Sequence, residues 1–134
     1  MKICVIDSDP NRLIDVEKLF KAMGHEVLCL DQVIGASNLI RKFNPDLLVV
    51  DVKMPTVSGP KLVQVLRANL PALPPLILYS DMEPEGLSAV ARAAKADDYI
   101  VKNDDYLPLL SRVQYHLGRA GKNQGFPRPD AALK

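Results

Sequence analysis

The chain has 134 residues, 48% of them hydrophobic, and a formal net charge of +1, which is enough for one domain with a single core and too little for two ordinary ones. So small a charge excludes a general nucleic-acid surface, which needs a concentrated basic face, and no apolar stretch reaches the length that spans a bilayer. Arg119, Lys122, Arg128 and Lys134 against Asp130 place +3 in residues 119–134 and leave −2 for the remainder.

Short apolar runs alternate with amphipathic stretches, the pattern of a βα repeat whose parallel sheet is covered on both faces. The first strand, Lys2–Ile6, follows the N-terminus without a signal-peptide pattern, so a cytoplasmic protein is expected. It leads into Asp7-Ser8-Asp9. Asp9 suits an N-cap and Pro10 a first helical position, with Leu13, Val16, Phe20 and Met23 as the inward stripe and Gly24 as the stop. A second strand, Glu26–Leu30, precedes a helix through Ile34, Leu39, Ile40 and Phe43 that Asn44-Pro45 ends. The third strand, Asp46–Val50, opens onto Asp51-Val52-Lys53-Met54-Pro55 and then Gly59, and its helix carries Leu62, Val63 and Leu66 up to the loop Pro71 to Pro75. The fourth strand, Pro75–Tyr79, is closed by Ser80 and followed by a helix from Glu85 to Ala94. The fifth, Asp98–Val101, is closed by Lys102, and the last helix begins near Asp105 with Pro108 in its first turn, using Leu109, Leu110, Val113 and Leu117. After Gly118 the pattern fails, so residues 1–118 form the domain and 119–134 a flexible basic tail or the start of a linker. Cys4 and Cys29 lie in separate strands without metal-ligand spacing and read as reduced thiols. His25 and His116 lack ligand spacing too and are expected to face solvent.

In a parallel sheet all strand ends of one kind face the same edge, so Asp7, Asp9, Asp51, Ser80 and Lys102 converge although they are far apart in sequence. Acid, hydroxyl and amine together suit a phosphoryl group and a hard cation.

Asp7 after the first strand, Asp51-x-x-Met54-Pro55-x-x-x-Gly59 after the third, Ser80 after the fourth, and Ala96-Asp97-Asp98-Tyr99-Ile100-Val101-Lys102 around the fifth resemble the receiver domain of bacterial two-component response regulators, the CheY-like family, over Lys2 to Leu117. The resemblance implies a flavodoxin-like (βα)5 fold with strand order 2-1-3-4-5. It implies that Asp51 is the phosphoacceptor, supplied by a sensor histidine kinase or phosphotransfer protein, and that the domain is a switch rather than an enzyme. Lys102 would offset phosphoryl charge, and Ser80 and Tyr99 would carry the switch. Mg2+ would be held by Asp7, Asp51, the backbone carbonyl of Lys53 and, in a variant arrangement, Asp9. A downstream protein, or a second copy in a homodimer, would meet the face of the fourth helix, fifth strand and fifth helix.

Several positions depart from that pattern. Ser8 stands where a second acid is usual, so either Asp9 substitutes for it or Asp9 only caps the helix and the metal is held weakly. Asn103 replaces a proline after Lys102, and because a non-proline cis bond costs roughly 2.5–4 kcal/mol a trans peptide and a differently shaped loop are expected. Asp81 replaces a small residue and could narrow access to Asp51, Lys95 replaces a glycine, and Lys53 and Met82 stand where attack of water on an acyl phosphate is governed. These departures keep open a pseudo-receiver that binds partners without phosphorylation. A rival class, the haloacid-dehalogenase-type phosphatases, would use Asp7-Ser8-Asp9, Ser80, Lys102 and Asp104-Asp105, but it leaves Asp51-x-x-Met54-Pro55 unexplained and finds no room for a cap.

Overall fold

Leu47, Leu48, Val49 and Val50 have essentially no exposed surface, as expected of the middle strand of a sheet covered on both sides. The computed structural model describes residues 1–55, 57–70 and 72–122, residues 59 and 119–122 by the course of their backbone alone. Five strands and five helices alternate: β1 (Lys2–Ile6), α1 (Pro10–Ala22), β2 (Glu26–Leu30), α2 (Ala36–Phe43), β3 (Leu47–Asp51), α3 (Gly59–Asn69), β4 (Leu76–Ser80), α4 (Pro84–Ala94), β5 (Asp98–Val101) and α5 (Leu107–Lys122). The strands form one parallel sheet in the order β2-β1-β3-β4-β5, the doubly wound arrangement the sequence predicts.

Alternation along each strand divides the core in two. Cys4, Ile6, Leu48, Val50, Leu76 and Leu78 pack with α2, α3 and α4. Ile3, Val5, Leu47, Val49, Ile77 and Tyr79 pack with α1 and α5 through Leu13, Val16, Phe20, Leu109, Val113 and Leu117. Both cysteines are free. Burial raises the Cys4 thiol to about 12 and the Cys29 thiol to about 11, so neither carries thiolate character at neutral pH.

Local boundaries differ from the sequence reading in instructive ways. β3 and β4 each start and end one residue later than expected: Asp51 and Ser80 remain within the ladder, and just ahead of β3 the Asp46 carboxylate accepts the Lys2 N–H (2.8 Å). Ile34 precedes α2 and is 74% exposed, and Leu39 is also exposed; Ala36 and Ile40 are the residues that α2 buries. α5 begins at Leu107, two residues after Asp105, whose carboxylate accepts the Leu107 N–H (3.0 Å). It runs on past Gly118 to Lys122, and residues 123–134 of the expected tail, like Thr56 and Pro71, lie outside the described residues. Lys95, standing in for glycine, ends α4 at φ 58°, and Arg67 holds that turn by donating to the carbonyls of Ala94 (3.3 Å) and Lys95 (2.9 Å).

His116 overturns its expected exposure. Its ring is fully buried and bonded to Asp98 Oδ2 (2.9 Å), which also meets Arg112 Nη1 at 2.6 Å. Burial works against the Asp98 charge, but the bonds from His116 and Arg112 prevail and hold its carboxyl below the usual range. Among the described residues no helix is long and apolar enough to cross a membrane.

Candidate functional site

The carboxyl edge of the sheet gathers the side chains at the ends of β1, β3, β4 and β5. Asp7 follows β1, its N–H donating to the Leu30 carbonyl (3.0 Å), and its side chain is 1% exposed. Asp51 is still paired with Tyr79 in the ladder and is 4% exposed. Lys102 is fixed at its backbone by donating to the Ser80 carbonyl (2.7 Å), and its ammonium stands 2.8 Å from Asp7 Oδ2 and 3.3 Å from Asp51 Oδ2. Strand topology alone brings these three together, since nothing local in sequence connects residues 7, 51 and 102.

The remaining oxygens are tied to backbone. Asp7 Oδ1 accepts the Asp9 N–H (2.9 Å), and Asp51 Oδ1 accepts the Lys53 N–H (3.1 Å). Asp7 Oδ2 is buried and accepts no well-directed hydrogen bond; the ammonium is its neighbour. Burial first, and then the Asp7 charge, push the Asp51 carboxyl above its ordinary range despite the opposing pull of Lys102 and the Lys53 N–H. The pocket therefore holds its negative charge incompletely neutralised.

That condition favours a cation. A hard divalent ion such as Mg2+ takes one or two carboxylates and keeps several waters. Asp7 and Asp51 supply two carboxylates, one with an oxygen lacking a hydrogen bond, and the Lys53 carbonyl a third oxygen. Among the described residues no cluster of three acidic, histidine or cysteine side chains could enclose a metal. Asp9 turns to α1 instead, its Oδ1 accepting the N–H groups of Asn11 (3.0 Å) and Arg12 (3.4 Å). Ser8 Oγ donates to the Lys53 carbonyl at 3.3 Å.

Ser80 is fully buried, with Oγ accepting the Met82 N–H at 3.3 Å, whereas Tyr99 is turned outward and 38% exposed. Lys53 and Asp81 form an exposed ion pair (2.9 Å) between the loops that follow β3 and β4. Asp104 and Asp105 are exposed on the loop before α5. All peptide bonds described are trans, including the one after Lys102.

Two neighbours of the site have no clear signal in the sequence. Tyr79 counts there only as an apolar strand residue, yet its ring lies 5.4 Å beneath the Lys102 ammonium. Arg12 looks like any solvent-facing position of an amphipathic helix, yet it donates to Tyr79 Oη (3.1 Å) and to the Asn103 carbonyl (2.8 Å).

Comparison with known proteins agrees with this architecture. The sequence profile of the response regulator receiver domain matches residues 3–114. The transcriptional regulatory protein PrrA of Mycobacterium bovis is 30% identical over 120 residues, 90% of this chain and 51% of that protein. Protein RcaC of Microchaete diplosiphon is 31% identical over 88% of this chain and 18% of its own length. The chain thus spans about half or less of these relatives. A two-component response regulator from Clostridium difficile superposes with a TM-score of 0.81 at 20% identity, covering 91% of this chain and 99% of that one. Thermotoga maritima TrrA in complex with Mg(2+)-BeF gives 0.74 at 24% identity over 86% and 97%. The likenesses to these two structures speak for the fold, and the profile, spanning most of the chain, for the family: this protein belongs to the response regulator receiver domains of two-component systems.

Proposed function

We propose that Asp51 accepts a phosphoryl group and that the domain, closed by α5, works as a phosphorylation switch in the cytoplasm. The observation that carries this reading is the Lys102 ammonium between two buried carboxylates at the mouth of the sheet. In the transfer, an Asp51 oxygen bonds to phosphorus as the bond from phosphorus to the donor's nitrogen breaks, leaving an acyl phosphate and a histidine that regains its proton. A carboxylate needs no deprotonation before attack, and Lys102 is placed to offset charge on the phosphoryl oxygens. Asp7, Asp51 and the Lys53 carbonyl would hold Mg2+, the ion that TrrA carries in its Mg(2+)-BeF complex; when bound, the ion neutralises phosphoryl charge.

Ser80 and Tyr99 are the switch pair. Ser80 leaves the Met82 N–H for the phosphoryl oxygens, and Tyr99, now outward, turns into the space released. Such a two-position packing change reaches the face of α4, β5 and α5, where a downstream protein or a second copy docks. The donor is a sensor histidine kinase or phosphotransfer protein.

A second reading, a pseudo-receiver that is never phosphorylated, draws on two features: Asp9 is engaged as a helix cap, and Ser8 donates to the carbonyl a metal would use. Intact mass after treatment with acetyl phosphate and Mg2+ separates the two. A gain of one phosphoryl group that is absent from Asp51→Asn supports the switch, and no gain supports the pseudo-receiver.

A further inference from the structure

The loop after Lys102 lacks the proline that would restrict it, and its peptide bonds are trans. Something else has to fix where the Lys102 stem leaves the sheet. On its N-terminal side the residue is pinned by its own N–H to the Ser80 carbonyl at 2.7 Å. On its C-terminal side the next carbonyl, that of Asn103, accepts from Arg12 Nη1 at 2.8 Å.

Arg12 does more than meet one carbonyl. The same Nη1 donates to Tyr79 Oη, and the guanidinium lies 5.7 Å from the Tyr79 ring centroid and 5.2 Å from that of Tyr106. The Tyr79 ring also lies 5.4 Å from Lys102 Nζ, so one aromatic ring is shared by the two cations. One turn further along α1, Asp15 Oδ2 accepts the Tyr106 hydroxyl at 2.8 Å. Helix α1 therefore clasps the β5–α5 loop at two points. Within the loop, Asn103 Oδ1 accepts the Asp105 N–H at 2.7 Å, so a displaced Asn103 would drag the turn with it.

We propose that Arg12 is a positioning residue for Lys102: through the Asn103 carbonyl and the Tyr79 ring it sets where the ammonium stands between Asp7 and Asp51. Arg12 touches neither carboxylate by hydrogen bond, so its effect passes through the loop and the ring. The assignment rests on the reading of Asp51 as phosphoacceptor, and it gives α1 a part in the site that the strand-end residues alone do not reveal. A guanidinium suits the task because its planar fork can donate to a carbonyl while stacking on rings, which an ammonium does less well.

The test uses the whole chain as wild type, Arg12→Met, Arg12→Lys and Arg41→Met. The last removes a comparable exposed bond, Arg41 Nη2 to the Asn69 carbonyl (2.7 Å), far from Lys102. The side-chain 15Nζ resonance of Lys102, identified by its loss in Lys102→Met, is followed together with the rate of phosphoryl incorporation from acetyl phosphate and the Mg2+ affinity. In Arg12→Met the resonance is expected to shift towards that of free lysines and the incorporation rate to fall about 10-fold, with Mg2+ affinity no weaker than wild type, because a displaced ammonium competes less for Asp7 and Asp51. Arg12→Lys recovers part of both, and Arg41→Met moves neither. An unchanged resonance in Arg12→Met, or an equal change in Arg41→Met, overturns the proposal. If wild-type protein takes up no phosphoryl group, the reading of Asp51 falls instead, and the Lys102 resonance still decides whether Arg12 places the ammonium.

Discussion

Replacing Lys102 by methionine removes the cation that stands between Asp7 and Asp51. The lysine side chain is 10% exposed and its carboxylate partners 1% and 5%, so solvent does little to screen what is left behind. Truncating one partner of a buried ion pair costs about 3–5 kcal/mol, and here two like charges remain facing each other. The Asp51 carboxyl already lies above its ordinary range, by burial first, with the ammonium present; without it the carboxyl rises further. A carboxyl whose folded value exceeds its unfolded one contributes stability below the unfolded value, near 3.9, and loses it as pH rises through the folded value. The deficit of Lys102→Met is therefore small in acid and grows as pH rises. With a urea slope of about 1.5 kcal/mol/M, the midpoint at pH 8 should drop by about 2–3 M, and saturating Mg2+ should return part of it by binding the folded state. Equal midpoints for the variant and wild type at pH 8, or a deficit that grows towards acid pH, would refute the compensation argument.

Asp9→Ala should lose about 1 kcal/mol of stability in urea unfolding, the usual worth of an N-cap, while Mg2+ affinity followed by NMR titration stays within about twofold; a large loss of affinity would return Asp9 to the metal site. Ser8→Asp adds a carboxylate beside the Lys53 carbonyl and should tighten Mg2+ by at least about 10-fold, read in the same titration. Asp98→Ala strips His116 and Arg112 of their shared partner and should cost about 3 kcal/mol. Because the Asp98 carboxyl lies low, the stability it supplies is present above the unfolded carboxylate range and fades as pH falls through the folded value, so the gap between wild type and Asp98→Ala should close in acid.

The strand periodicity made the sheet legible. Five apolar runs bounded by Gly, Pro and acidic residues left a parallel sheet as the natural arrangement, and the common direction of parallel strands then brought Asp7, Asp51, Ser80 and Lys102 to one edge. Signals that depend on two or more elements meeting were not legible. His116 reads as one polar residue on an amphipathic helix until β5 brings Asp98 and α5 itself brings Arg112 beside it. Ile34 reads as a helical apolar position because periodicity does not register that Gly35, at φ 79°, delays the start of α2. Arg12 escapes for the same reason as His116: its partners Tyr79 and Asn103 lie 67 and 91 residues away.

The charges of the resting pocket bear on the proposed switch. Two carboxylates against one ammonium leave the resting site one negative charge in excess. Acylation removes the Asp51 charge but introduces about −1.5 to −2 on the phosphoryl oxygens, so with Lys102 and Asp7 cancelling each other the modified pocket lacks nearly two positive charges. A divalent cation is therefore worth more to the phosphorylated site than to the resting one, where Lys102 already meets both carboxylates. A serine at position 8 would fit that ordering, since a hydroxyl in place of a carboxylate would weaken metal binding at rest without adding a negative charge to the modified site. Ser8→Asp reverses the balance, giving tighter metal binding before transfer and a more strongly negative pocket for the incoming phosphoryl donor. Its incorporation rate at saturating Mg2+ should consequently gain less than its metal affinity does.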